Sequence, residues 1–207
     1  MAEEPFALDS SAFCELLARW NGLAAAGFAA WEFLPGMRFA EREAWWRPGT
    51  GRGDAHEGLD LCWFRTGDGR RLSLAAGACV PVIYAGEVVS TVADFLGVSM
   101  FVAHERRDAR GRRLHSIYGH IEPRAGLAPG SRLGVGEAVG VVAGASGRTS
   151  TVPPHLHVTL ALIADGCGRD RLDWGSLRDP RRARLLDPLP ILCGGGPAPG
   201  TPPGEQA

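Results

Sequence analysis

Four of the six histidines in this 207-residue chain lie in patterns that could do chemistry. His56-Glu57-Gly58-Leu59-Asp60 sets an imidazole and a carboxylate four residues apart. His155-Leu156-His157 immediately precedes Val158-Thr159-Leu160, and residues two apart on a strand share a face, so both rings can enter one cavity. His120 follows Tyr118-Gly119 near the end of another strand-like run. Two imidazoles and one carboxylate satisfy a catalytic zinc site, which takes three protein ligands and leaves one position for water. The ion would bring the pKa of that water to about 7, and further histidines would then serve as base, acid or oxyanion stabiliser.

Spacing alone leaves alternatives open. An H-x-x-x-D match is weak, and His56 as a loop residue, Asp60 as a turn cap and His155 as a solvated strand start would be the plain structural reading. An H-x-H on one strand face is stronger, because paired histidines are seldom core. Residue chemistry does not choose between His155 and His157 as a ligand. The H-E-x-x-H zinc signature is absent, since position 60 is aspartate, and Glu57 reads as a solvated side chain.

The other candidates read as structural. His104 is expected at a strand end and His115 on the solvent side of the returning strand. Arg106-Arg107 and Arg112-Arg113 read as a solvated hairpin tip that could also touch an anionic polymer. Trp45, Trp46 and Trp63 are expected in the core or at its rim, and Cys62 as a small buried hydrophobe.

The elements positioning these residues follow from punctuation and periodicity. Phe13, Leu16, Leu17 and Trp20 recur at helical spacing behind the candidate caps Asp9, Ser10 and Ser11, and Asn21-Gly22 ends that helix. The Ala-rich stretch Leu23 to Trp31 predicts a second short helix before Pro35-Gly36. From about Met37, short apolar runs alternate with turns. They span Leu59 to Phe64, Arg71 to Leu74, Val80 to Val89, Val98 to Ala103, Leu114 to Ile121, Ala138 to Val142 and His157 to Ile163. Gly67-Asp68-Gly69, Ala109-Arg110-Gly111 and Ala128-Pro129-Gly130 read as connecting turns. The expectation is a mainly β, antiparallel domain over 37–193, with an N-terminal helical appendage over 1–36. A disordered Gly/Pro tail is expected over 194–207.

Composition narrows the partners. A formal net charge of -1 gives no electrostatic case for nucleic acid, and no apolar stretch is long enough for a membrane span. No secretory signal is visible, so the sequence by itself reads as cytoplasmic. Five cysteines without a C-x-x-C pair argue against a disulfide framework or thiolate zinc site, and predict reduced, mostly buried thiols.

In this order the motifs resemble the lysostaphin/LytM-type zinc metallopeptidases, which cut peptidoglycan cross-links. His56-Glu57-Gly58-Leu59-Asp60 is similar to the family's H-x-G-x-D element, and Tyr118-Gly119-His120 to its Y-x-H. Ala85-Gly86-Glu87-Val88-Val89 is similar to its A-x-G-x-V strand, with one residue fewer before the glycine. Gly134 to Gly140 loosely follows a glycine-punctuated segment. Gly144 to Gly147 and His155-Leu156-His157-Val158 resemble its G-x-T-G and H-L-H-F ending. The segment from Arg148 to Pro154 is longer than the family's and ends in two prolines. The resemblance spans about residues 37 to 192.

It implies the duplicated-hybrid-motif type of β fold and one zinc ion per chain, held by His56, Asp60 and His157. It further implies His120 and His155 as general base or transition-state stabiliser, and Tyr118 as a residue of the core or of the substrate-binding wall. Peptidoglycan is the implied substrate, the periplasm or cell envelope the implied compartment, and a monomer is favoured. Two alternatives are a non-catalytic module of the same fold that binds wall peptides or activates a partner hydrolase, and a cytoplasmic or phage-related metallopeptidase.

Overall fold

The computed structural model describes residue 8 and residues 11–144, 152–164 and 172–194. The expected caps Asp9 and Ser10, most of the Gly144–Pro154 approach, the polar loop after Ala164 and nearly all of the tail lie outside them. The described chain is mainly antiparallel β, as the alternation of apolar runs and turns predicted.

Helix α1 (Phe13–Trp20) buries Phe13, Cys14, Leu17 and Ala18 and stops at Asn21-Gly22, with Gly22 left-handed at φ 62°. Trp20 stays 39% exposed, so the apolar stripe is narrower than its spacing implied. Ser11 does not cap the helix; its hydroxyl donates to the Ile191 carbonyl. The predicted second helix is also corrected. Only Leu23–Ala26 forms a 3-10 turn, and β1 (Phe28–Glu32) is a strand paired with β3 (Trp63–Thr66), which pairs in turn with β4 (Arg71–Ser73). Aromatic Phe28 and Trp31 pack against Phe64 across that pair, and this tertiary contact outweighs the helix propensity of the alanines.

The larger sheet has nine strands. Its main path runs β12 (Ala183–Leu186), β11 (Leu156–Ile163), β8 (Arg113–Pro123), β7 (Val98–Arg107), β6 (Gly86–Ala93) and β9 (Arg132–Leu133). Strand β2 (Leu59–Leu61) pairs with the first half of β11, whose second half pairs with β12. Strand β10 (Ala138–Val142) joins the end of β8 to β5 (Cys79–Pro81). Helix α2 (Trp174–Arg178), capped by Asp173, precedes β12, and α3 (Leu189–Leu192) follows it. The sequence signalled neither α2 nor β12.

Two cysteine expectations divide. Cys62 is buried, and burial, then the Asp60 charge, push its thiol up to about 12, so it is an inert hydrophobe. Cys14 and Cys193, expected to be reduced, instead form a disulfide with Cα atoms 5.0 Å apart, because α1 and the end of α3 meet. Counting cysteines could not reveal a pair 179 residues apart in sequence.

His104 and His115 are both buried, which corrects the expected solvent exposure of His115. His104 donates Nδ1–H to the Ala85 carbonyl and meets Ser116 Oγ at 2.9 Å through Nε2. Burial is the largest influence on His104 and lowers it from 6.5 to about 4. The unfolded chain takes up that proton near 6.5 while the folded protein does not until about 4, so stability falls as pH drops through this window. A shift of this size removes up to about 3 kcal/mol. Melting curves from neutral to acidic pH should fall less steeply for His104→Asn, and equal slopes would contradict this assignment.

Candidate metal centre

Three strands bring two of the candidate ligands onto one rung, and His56 joins them from the segment before β2. His157 on β11 pairs with Asp60 on β2 on one side and with Gly119 on β8 on the other. Alternation sets the faces. Leu59 and Leu61 point into the main core, as do Leu156, Val158 and Leu160, so Asp60 and His157 turn the other way. Gly119 makes room, since a Cβ there would lie 3.2 Å from that of His157.

His120 reaches the same side through a β-bulge. The β7–β8 register moves from Met100–Tyr118 to Val98–Ile121, which leaves one extra residue in β8, and His120 takes up a φ of 60°. Tyr118 and Ile121 therefore both face the core, whereas Gly119 and His120 face the cleft. The left-handed conformation costs about 1 kcal/mol or more for a side chain with a Cβ. Asp94, just after β6, supports it: its Oδ2 accepts the His120 backbone N–H at 3.0 Å and the Ser99 hydroxyl at 2.7 Å. Its Oδ1 accepts Leu96 and Gly97 N–H groups, and lies 3.1 Å from His120 Nδ1 in an ion-pair contact without full hydrogen-bond alignment. Burial opposes ionisation of Asp94, but these donors and His120 outweigh it and hold the carboxyl well below the usual range.

His56 Nε2, Asp60 Oδ1 and His157 Nδ1 form a triangle with sides of 3.1, 2.8 and 3.3 Å, and all three residues are buried. A tetrahedral zinc shell with bonds of about 2.0–2.2 Å sets neighbouring donors about 3.3–3.6 Å apart. The proton inventory agrees with a cation. His56 Nδ1 faces the Arg38 carbonyl at 3.0 Å and must donate to it, which leaves a bare Nε2 lone pair in the triangle. His157 Nε2 is 2.8 Å from Thr159 Oγ1, and donation there leaves the Nδ1 lone pair inward. In these tautomers two lone pairs and a carboxylate oxygen converge on one buried point, as a cation requires; in the other His157 tautomer Nδ1–H donates to Asp60 Oδ1 at 2.8 Å.

Outer groups fix the ligands. Asp60 Oδ2 accepts Trp45 Nε1–H at 2.6 Å and Arg52 at 3.2 Å. Burial would raise Asp60, yet the surrounding His155, His56 and His157 rings hold it well below the ordinary carboxylate value. Burial lowers His157 despite Asp60, keeping it neutral as a ligand must be. Gly58, between the two N-terminal ligands, has no room for a side chain, because its Cβ would lie 2.3 Å from the Val158 carbonyl oxygen and 2.7 Å from Thr159 Oγ1.

His155 stands beside the triangle. Its Nδ1 donates to the Pro153 carbonyl at 2.8 Å, and its Nε2 lies 3.7 Å from Asp60 Oδ1. Burial lowers it to about 4, so its Nε2 is an unprotonated acceptor at neutral pH. The His120 and His155 rings meet edge to face at 4.7 Å. Both line a cleft of about 360 Å³ with Trp46, Phe95, Trp174 and Arg178.

The five histidine and aspartate candidates thus converge, whereas Tyr118 does not. It is fully buried, its hydroxyl accepts the Ile83 N–H and the Ser116 hydroxyl, and it is absent from the cleft wall. Of the tryptophans, Trp45 is buried against His155 and Trp46 is half-buried at the cleft. The sequence reading missed Asp94, Arg52, Phe95 and Trp174. Only Asp94 carried a usable signal, as an aspartate three residues before a glycine in a tight turn.

No protein-family model matches the chain, and no curated protein matches it. Among solved structures it is similar to a zinc-containing peptidase from Vibrio cholerae, at 18% identity over 64% of this chain and 37% of that one, with a TM-score of 0.42. It is similar to lysostaphin at 17% identity over 81% of this chain and 62% of that one, with a TM-score of 0.46. It is also similar to the catalytic domain (A109H mutant) of the prophage-encoded M23 protein EnpA from Enterococcus faecalis, at 27% identity over 68% of this chain and 91% of that one, with a TM-score of 0.38. The chain therefore spans less than two thirds of the length of the first two.

Proposed function

We propose that this chain is a zinc-dependent endopeptidase of the lysostaphin/LytM type, acting on peptidoglycan cross-links. The observation carrying the reading is the buried triangle of His56, Asp60 and His157, whose inward lone pairs suit a cation. Bound there, one zinc ion would supply Lewis acidity and an activated water. Arg38, Thr159, Trp45 and Arg52 keep the three ligands in their required tautomers and orientations.

His120 and His155 divide the proton work. Asp94 occupies the Nδ1 side of His120, which leaves its Nε2 as the edge available to a substrate or water. His155 presents Nε2 to the same space, anchored through Nδ1. One ring takes a proton during attack, and the other steadies the developing oxyanion or returns the proton to the leaving amine. Phe95, 53% exposed with its ring 4.6 Å from His120, offers an apolar wall for the peptide.

The Cys14–Cys193 disulfide supports an oxidising compartment, in keeping with action on the cell envelope. No described helix is long and apolar enough to cross a membrane. The test is incubation of purified protein with peptidoglycan, monitoring new amino termini with and without a chelator. Release that stops on chelation and returns with zinc is expected. Zinc-loaded protein that binds peptidoglycan without cutting it would replace this reading with that of a non-catalytic module.

A further inference from the structure

The β7–β8 hairpin tip and the stretch from Arg178 to Arg184 are distant in sequence but lie at one end of the large sheet. Ile163 on β11 pairs with Arg113 on β8 and with Ala183 on β12, and Arg113 pairs with Arg107 on β7. Residues 105–113 and 178–184 together hold nine arginines against three carboxylates, a local balance of +6 in a chain of net charge -1. Between them runs an open groove of about 620 Å³, lined among the described residues by Arg110, Arg112, Arg178 and Arg184 with Leu177 and Leu185. Asp108 fixes Arg112 at 2.6 Å, and Arg178 meets Asp54 at 3.4 Å across an exposed pair that an incoming anion can displace.

This groove adjoins the metal cleft through shared wall residues. Leu177, Arg178 and Leu185 also line an adjoining hollow of about 300 Å³, which shares Glu57, Trp174 and Arg178 with the cleft around His120 and His155. A chain leaving the metal centre past Trp174 would cross that hollow, whose wall also holds Asp54, and then meet the arginines of the groove.

We propose that the groove is an anion subsite that holds carboxylates of the peptide substrate several residues from the scissile bond. The identity of the occupant rests on the endopeptidase reading above, while the groove itself does not. The guanidinium fork suits a carboxylate, which accepts two parallel N–H bonds, and all 22 basic residues of the chain are arginine. The apolar Leu177 and Leu185 would seat the aliphatic stems between successive carboxylates.

The experiment measures fluorescence anisotropy of a labelled hexaglutamate peptide, and in parallel of labelled inorganic polyphosphate of matched charge. The protein is the full chain as wild type, R110E/R184E, R19E/R132E and H157A. Arg19 and Arg132 are exposed arginines outside the groove, Arg132 lying on β9 at the opposite edge of the sheet. We expect wild type to bind hexaglutamate more tightly than polyphosphate, and R110E/R184E to weaken it by about tenfold or more. R19E/R132E and H157A should bind as wild type does, with the melting curves of the two double variants alike. Absent hexaglutamate binding, equal losses in the two double variants, or preference for polyphosphate would overturn the proposal. Loss of binding in H157A alone would assign the anion to the metal centre and overturn it equally. Because binding is read without turnover, a failed endopeptidase reading would leave a distinct result.

Discussion

His157→Ala is expected to yield protein with no bound zinc and no measurable turnover, while His155→Ala retains the ion. The two residues flank Leu156 and are equivalent in ligand chemistry, but only His157 turns a nitrogen to within 2.8 Å of Asp60 and 3.1 Å of His56. His155 Nε2 stands off at 3.7 Å from the same oxygen. Removing one of three ligands leaves a two-point site. Zinc should then cease to raise the melting temperature, whereas saturating the wild-type site a hundredfold above Kd should add about 2.7 kcal/mol. Metal content of the purified variants decides the matter, and stoichiometric zinc in His157→Ala would remove the assignment.

The second large effect concerns His120 and the carboxylate behind it. His120→Ala should keep its zinc and lose turnover by about 10²–10⁴, the range of a positioned acid or base. Asp94 makes no contact with the ligand triangle, although it borders the cleft beside His120. It holds the bulge and the Nδ1 side of His120, which makes it a positioning residue. Asp94→Asn should therefore lower kcat by about tenfold or more with KM and zinc content close to wild type, because the amide cannot accept from every donor that the carboxylate serves. Loss of zinc in Asp94→Asn, or normal turnover in His120→Ala, would overturn this division of labour.

Much of this centre was legible in the sequence because its determinants are local or of period two. His56 and Asp60 are four residues apart, His155 and His157 two apart, and the leucines and valines around them state which face is core. The resemblance to a known family supplied the choice of His157 and the roles of the other rings, which spacing could not. What escaped notice depends on contacts between distant segments. Trp45 and Arg52 have no pattern that marks them as partners of Asp60 until β2 is in place. Trp174 reaches the cleft only because α2 docks across the sheet. His115 lies in a strand whose both faces are covered, so alternation gave no sign of its burial. The strand at Phe28–Glu32 shows tertiary packing against Phe64 and Trp63 prevailing over an alanine-rich stretch.

The Asp60–His157–Gly119 rung also governs when the site comes into being during biosynthesis. Before β11 leaves the ribosome, only two members of the triangle, His56 and Asp60, have been made, and they lack the Nδ1 donor of His157 and the Thr159 that orients it. The third ligand arrives about 100 residues later, and it enters by insertion of β11 between β2 and β8, with the loop-closure entropy of a long segment to be overcome first. On the zinc reading, tight metal capture would coincide with completion of the central sheet. A chain stalled or truncated before Leu156 would pass through the cell unable to compete for the ion.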